Sequence, residues 1–218
     1  ETFARVAVVG AGAAGLEIAM ALRHRGAAVT LYSGRPSVHP ALAARAERAL
    51  RRTGVDFRPG MAVDGIEPGP VVVSGAARQA FDVVLVATGA APMPLLRQAG
   101  LQCDEAGFAL VDASLRSVSH PEVFVVGDCA TLRDAPHPKS GVYSVRHGGV
   151  LHENLRRLLQ DRPLASYRPQ SSALTLLSCG ARYAIAQRGG WSAEGAWAWY
   201  WKRRIDRNWL RSLEGKLQ

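Results

Sequence analysis

No two of the three cysteines in this 218-residue chain, Cys103, Cys129 and Cys179, are close in sequence, and no C-x-x-C pair occurs. That spacing excludes a dithiol relay and a cysteine zinc site, and it points to a reducing compartment. The six histidines show no ligand spacing, so no metal is predicted. No stretch reaches the ~18 unbroken apolar residues that a membrane span needs. The first residues lack the charged, apolar and small-residue order of a secretory leader. A cytoplasmic location is therefore expected. The chain opens on Glu1 with a strand almost at once, and we read this N-terminus as processed or cut. Acidic residues are the scarcer sign, 18 against 27 lysines and arginines, giving a net charge of +9. No nucleic-acid motif accompanies that excess, so no nucleic-acid partner is predicted. Aromatics are few, and all five tryptophans fall in the last 28 residues.

What is present reads as strands alternating with helices. Arg5–Val9 and Val83–Ala87 are apolar runs of the kind that form buried parallel strands. Ala28–Tyr32 reads as another strand, and Val55–Arg58 and Val71–Ser74 as short ones between Pro and Gly turns. Gly12–His24 and Pro40–Thr53 read as helices closed by Gly26 and Gly54. Met93–Leu101 reads as a helix, Phe108–Val111 and Val123–Val126 as strands, and Ser140 to Leu159 as a long helix, irregular near Gly148-Gly149. Leu174–Leu177 and Tyr183–Ala186 read as a hairpin or small sheet, and Ala193 to Leu213 as a terminal helix. The fold class is α/β: a Rossmann-like parallel sheet with further α/β material and a small α+β tail.

Directly after the first strand stands Gly10-Ala-Gly12-Ala13-Ala14-Gly15. A G-x-G-x-x-G that follows a strand and opens a helix is the turn that cradles a dinucleotide pyrophosphate. Gly10 permits the tight turn, Gly12 lets the backbone approach the phosphates, and Gly15 lets helix and strand pack closely. The acid that grips an adenosine ribose is missing: the stretch reads Leu31-Tyr-Ser33-Gly-Arg35. Ser33 and Arg35 suit a 2′-phosphate, so NADP fits better than NAD. The competing reading makes Arg35 a solvated loop residue and nucleotide binding weak.

Two further segments carry a family resemblance: Leu85-Val-Ala-Thr88-Gly89-Ala-Ala-Pro92 and Phe124-Val-Val-Gly127-Asp128-Cys-Ala130. With these, the chain resembles the two-dinucleotide-binding-domain flavoproteins, the pyridine nucleotide-disulfide oxidoreductase superfamily. Within it, the chain is similar to the branch of type II NADH dehydrogenases and sulfide:quinone oxidoreductases. A finer similarity, to the FAD-dependent oxidoreductases associated with selenide, water dikinase, rests on three stretches. These are Lys139-Ser-Gly-Val-Tyr-Ser-Val-Arg146 with Glu153-Asn-Leu155, Ala181-Arg-Tyr183, and Trp201-Lys-Arg-Arg-Ile-Asp206-Arg.

The resemblance implies hydride transfer from a nicotinamide to FAD and on to a small-molecule electron acceptor. It also implies two glycine fingerprints, and this chain has one. Either Gly10–Gly15 belongs to the NAD(P) domain and an N-terminal FAD-binding half is missing, or it belongs to FAD and the nicotinamide insertion is deleted. Glu17, the missing ribose acid and the run from Leu50 to Gly89 favour the first. On that assignment residues 1–91 bind NAD(P), residues 92–160 complete the FAD domain and residues 161–218 form an interface or tail region. The implied cofactor contacts are Gly10, Gly12, Ala13, Ala14, Gly15, Glu17, Ser33, Arg35, Thr88, Gly89, Gly127 and Asp128. Asp128 would hold a ribityl hydroxyl, Glu17 would stand near the nicotinamide–flavin contact, and the helix from Ser140 would point its N-terminus at the flavin. No catalytic residue is assigned, since the cofactors carry the chemistry. Val145-Arg146-His147-Gly148 stands where the branch's quinone reductases often carry glutamines, which puts quinone reduction in doubt.

The tryptophan tail has two readings. Trp197, Trp201, Ile205 and Trp209 lie along one helical stripe that fits packing on the flavin domain or on a second subunit, as in a homo-oligomer. Trp among Lys202, Arg203, Arg204, Arg207 and Arg211 also fits peripheral contact with the inner face of a membrane. We favour packing.

Overall fold

The computed structural model describes residues 4–34 and 38–214. They divide into two compact units, one of the described residues up to 88 and from 174 on, the other of residues 89–173.

The first unit opens as β1 (Arg5–Val9), α1 (Ala13–His24), β2 (Ala28–Ser33), α2 (Pro40–Thr53) and β3 (Asp56–Pro59). It continues through β4 (Gly65–Glu67), β5 (Val71–Ser74), β6 (Ala77–Ala80) and β7 (Val83–Val86). One parallel sheet has the order β3-β2-β1-β7. Val6 to Val9 of the central strand are all buried, as expected for a strand covered on both faces. On one face Val6 and Val8 meet Leu16, Ala19 and Met20 of α1 and Leu42, Ala46 and Leu50 of α2. On the other, Ala7 and Tyr32 meet Val72 and Phe81, brought by the antiparallel sheet β4-β5-β6. Pro40 opens α2 after His39, whose Nδ1 accepts from the Ala41 N–H, and Gly54 at φ 77° closes it.

The second unit holds α3 (Pro94–Gln98), β8 (Ala109–Val111), β9 (Ala130–Leu132) and α4 (Gly141–Leu158). β8 and β9 pair in parallel. Leu101, Val111, Leu115, Val125 and Leu132 form its core. Asn154 is fully buried and satisfied: its Nδ2 donates to the carbonyls of Ser114 (2.9 Å) and Ala165 (3.0 Å), and its Oδ1 accepts from the Ala165 N–H (2.7 Å). That bracket fastens the following connector to α4.

The chain then returns to the first unit as β10 (Thr175–Ser178), β11 (Ala184–Arg188), β12 (Trp191–Gly195) and α5 (Ala196–Glu214). These three strands form an antiparallel sheet. Leu177 and Ile185 enter the same core as α1 and α2. Arg45 of α2 clamps β12, reaching Ser192 Oγ (3.0 Å), the Ser192 carbonyl (3.1 Å) and Glu194 Oε1 (3.1 Å).

Two expected elements differ. Val123–Val126 is extended but is not a strand of a parallel sheet. It makes one isolated antiparallel bridge, Arg116 with Phe124, and Leu115 beside it sits at φ 69°. The terminal helix begins at Ala196 rather than Ala193, because Trp191–Gly195 pairs with β11 first. Gly148-Gly149 does not interrupt α4.

The tryptophan stripe forms. Trp197 stacks on Trp201 at 6.1 Å, yet Trp197, Trp201, Ile205 and Trp209 are 48, 41, 42 and 44 % exposed. Among the described residues nothing buries this face. No helix among them is long and apolar enough to cross a membrane.

Candidate dinucleotide and flavin sites

In the first unit the glycine turn lies between β1 and α1. The Gly10 N–H donates to the Tyr32 carbonyl at 2.9 Å, tying the turn to β2. Gly10 has φ 106°, and a Cβ there would stand 2.4 Å from the Ala87 carbonyl oxygen and 3.0 Å from Thr88 Cα. A Cβ on Gly15 would stand 1.8 Å from the Gly10 carbonyl oxygen. Only glycine lets strand, turn and helix approach so closely. Gly12 differs: it caps α1 with φ −68°, and a Cβ there would meet nothing within 4 Å. The chain's own packing does not require glycine at that position.

Ala13 and Ala14 follow, both exposed, and the first turn of α1 holds neither a side-chain cap nor an acid. That end of the helix is a positive, uncapped terminus suited to an anion. Beside it an apolar cavity of about 230 Å³ is walled by Ala11, Leu16, Ser33, Val38, Ala46, Leu50 and Phe57, with Glu47 at its lining. Ser33 is buried in that wall; Arg35, expected to join it, lies outside the described residues. Thr88 ends the first unit and is exposed. Glu17 points elsewhere: its Oε1 accepts from the Ser178 N–H at 2.7 Å and lies 3.4 Å from Lys202 Nζ, so the tail engages it.

In the second unit, Gly89 takes φ 103° at its start, and Gly127–Cys129 forms a single 3₁₀ turn with Gly127 at φ 69°. Asp128 is exposed, and its Oδ1 accepts from Ser144 Oγ of α4 at 2.9 Å. No acid occupies the first turn of α4 and Ser140 makes no side-chain cap, so this helix also presents an uncompensated N-terminus. Lys139 Nζ donates to Thr131 Oγ1 (2.8 Å) and to the Ala130 carbonyl, and it lies 4.3 Å from the Phe108 ring centre. Burial lowers the Lys139 pKa, while Asp104 and Asp128 oppose that shift.

Behind the turn stands a group that sequence reading did not single out. His147 is fully buried, with its Nδ1 accepting from the Gly127 N–H at 3.0 Å and its Nε2 3.2 Å from His137 Nε2. His137 stacks on Tyr143 at 4.3 Å, and Tyr167 meets both imidazoles edge-on. Only the i, i+4 spacing of Tyr143 and His147 on one face of α4 hinted at it.

All three cysteines are free. Cys129 Sγ lies 3.6 Å from Met93 Sδ, and Cys179 is buried, its thiol pushed up to about 12 by desolvation. Among the described residues no cluster of three potential ligands could hold a metal.

A parallel β–α–β unit closed by this glycine turn, with an uncapped helix end and an adjoining apolar cavity, defines a dinucleotide-binding α/β protein. The chain belongs to the pyridine nucleotide-disulphide oxidoreductase family, whose model matches residues 1–148. It is 35 % identical over 202 residues to a NADH dehydrogenase-like protein of Mycobacterium tuberculosis, covering 83 % of this chain and 50 % of that one. It is 31 % identical over 165 residues to a NADH oxidase of Methanocaldococcus jannaschii, covering 69 % and 36 %. Among solved structures it resembles a NAD-dependent persulfide reductase from A. fulgidus, with TM-score 0.68, 27 % identity, and coverage of 85 % of this chain and 36 % of that one. The sulfide:quinone oxidoreductase of Aquifex aeolicus shares the fold at TM-score 0.73 and 17 % identity, covering 97 % and 59 %. The chain thus spans half or less of the length of these two curated relatives.

Proposed function

We propose that this chain is the nicotinamide-nucleotide domain and the flavin-domain remainder of an FAD-dependent NAD(P)H oxidoreductase. The observation that carries this reading is Gly12. It stands at an uncapped, acid-free helix end where the protein's own packing leaves room for a side chain. On this reading the backbone amides over Gly12–Gly15 receive the pyrophosphate of NAD(P)H, and the adjoining apolar cavity takes the adenosine end. Thr88 borders the nucleotide.

The residues of the second unit suit FAD: Asp128 offers an exposed carboxylate for a ribityl hydroxyl, and α4 offers a positive terminus. FAD, when bound, supplies the capacity to accept a hydride from reduced nicotinamide and pass electrons to a small-molecule acceptor. Asp128 and Ser144 orient the flavin, and the glycine turn orients the nicotinamide nucleotide. The three cysteines of this chain are unpaired, so these two units supply no dithiol of their own.

The missing ribose acid and the pair Ser33 and Arg35 favour NADPH over NADH. Titration calorimetry is expected to show tighter binding of NADPH. Arg35→Ala should weaken NADPH by about tenfold, the scale of one lost charge-assisted hydrogen bond, and leave NADH unchanged. Tighter binding of NADH to the unaltered chain would remove the NADP assignment.

A further inference from the structure

The Gly127–Asp128 turn is held by a ladder on one side only, where Ala130 pairs with Ala109. The residues before it make one isolated bridge, and Gly127 itself takes a left-handed conformation. Two side chains of α4, three residues apart, hold it: Ser144 donates to Asp128 Oδ1 and His147 accepts from the Gly127 N–H. A hydroxyl rotates to suit its neighbours, but a buried imidazole wedged among rings does not.

The hydrogen bonds fix both tautomers. Because His147 Nδ1 accepts from Gly127, the proton of the neutral ring sits on Nε2. That Nε2–H then donates across 3.2 Å to His137 Nε2. His137 therefore carries its proton on Nδ1, which faces the Pro138 carbonyl at 3.1 Å. With both rings neutral, one direction satisfies the whole chain. Adding a proton to His137 would set two N–H donors against each other.

We propose that His147, with its Nε2 proton committed to His137, is the positioning residue that fixes the Gly127–Asp128 turn and thereby sets where the Asp128 carboxylate meets the flavin ribityl chain. The second half rests on the flavin reading above; the first half does not.

The test is nitrogen-15 NMR of the full chain at neutral pH with His147→Gln and His147→Leu beside it. In the parent, His147 Nδ1 should resonate as unprotonated and Nε2 as protonated. A carboxamide oxygen can still accept from Gly127, so His147→Gln should keep the Gly127 amide protected from exchange. His147→Leu should speed that exchange by about tenfold, the scale of one lost hydrogen bond. The opposite tautomer in the parent, or equal Gly127 protection in all three proteins, overturns the proposal; the parent spectrum decides even if the leucine variant does not fold. FAD fluorescence titration of the same proteins separates the two halves. Weaker binding in His147→Leu with recovery in His147→Gln supports the link to flavin. A chain with one glycine fingerprint is expected to hold FAD weakly, so the titration runs to millimolar FAD; no binding by any of the three proteins at that concentration defeats the flavin reading and the second half, while the exchange data still decide the first.

Discussion

Gly12→Ala is expected to leave the unfolding midpoint of the protein near that of the parent while weakening NADPH binding at least tenfold, and Gly15→Ala is expected to cost about 3 kcal/mol or more of stability. The two substitutions add the same methyl group five ångströms or so apart along one turn of helix. At Gly15 the new carbon would lie 1.8 Å from the Gly10 carbonyl oxygen, and backbone cannot swing away as a side chain does. Strand and helix must part, and β1 lies at the centre of the sheet. At Gly12 the backbone is already in a region alanine adopts, and the new carbon meets nothing within 4 Å. Alanine is a poorer cap than glycine, but it also restricts the unfolded chain, and these small effects oppose each other. On the proposed reading, the reason for glycine at Gly12 lies outside the folded chain itself, in a ligand whose phosphates approach the backbone. Calorimetry for stability and for binding separates the two roles. Unchanged NADPH affinity in Gly12→Ala would mean that no dinucleotide approaches this turn.

Lowering the pH from about 6.5 to about 4 should cost the protein roughly 3 kcal/mol through His147 alone. The His147 pKa is depressed to about 4, first by burial and then by the adverse charges of His137 and Lys139, with Asp128 opposing them. The sign follows from proton counting. Between the two values the unfolded chain holds a proton on this ring and the folded chain does not, so acid favours unfolding. The stabilising contribution is fully present above about 6.5 and lost as pH falls through about 4. Asp134 beside Arg133 and Glu153 beside Arg157 have lowered carboxyl pKa values, so their contributions are present above the ordinary carboxylate range and fall away as the pH drops through it. Denaturant unfolding at a series of pH values should show the slope in the parent and a much flatter line in His147→Gln. An equal slope in both would remove His147 as its source.

The parts of the fold that could be read in advance are those whose signal is local. Val6–Val9 is apolar throughout because both faces of a central parallel strand are covered. Gly10 and Gly15 are forced by contact with Ala87 and with each other, so the glycine spacing records the packing directly. Gly54 and Pro40 bound α2 for equally local reasons. β6 gives little sign of itself in the sequence because Ala77–Ala80 is exposed along its length and carries no apolar run; its signal is the turn at Gly75, with φ 56°. The sequence from Ala193 on suggests helix, but the strand character of Trp191–Gly195 comes from pairing with Ala184–Arg188, a contact invisible in a single segment. The glycine turn and Asp128 were legible as candidate site residues, whereas the imidazole pair was not. His137 and His147 are ten residues apart in a spacing with no motif, and only the loop preceding α4 brings them together. Glu17 could be placed on α1 from its motif, but its engagement by Ser178 and Lys202 depends on a tail 161 residues away.

Amide chemical shifts of the glycine turn, recorded while NADPH and FAD are added separately, distinguish a nicotinamide-nucleotide site from a flavin site. NADPH should shift the Gly12, Ala13, Ala14 and Gly15 amides to saturation, and FAD, lacking its own pyrophosphate turn in this chain, should be lost on gel filtration. Stoichiometric FAD that survives gel filtration and moves those same amides would contradict the account and make the turn a flavin site.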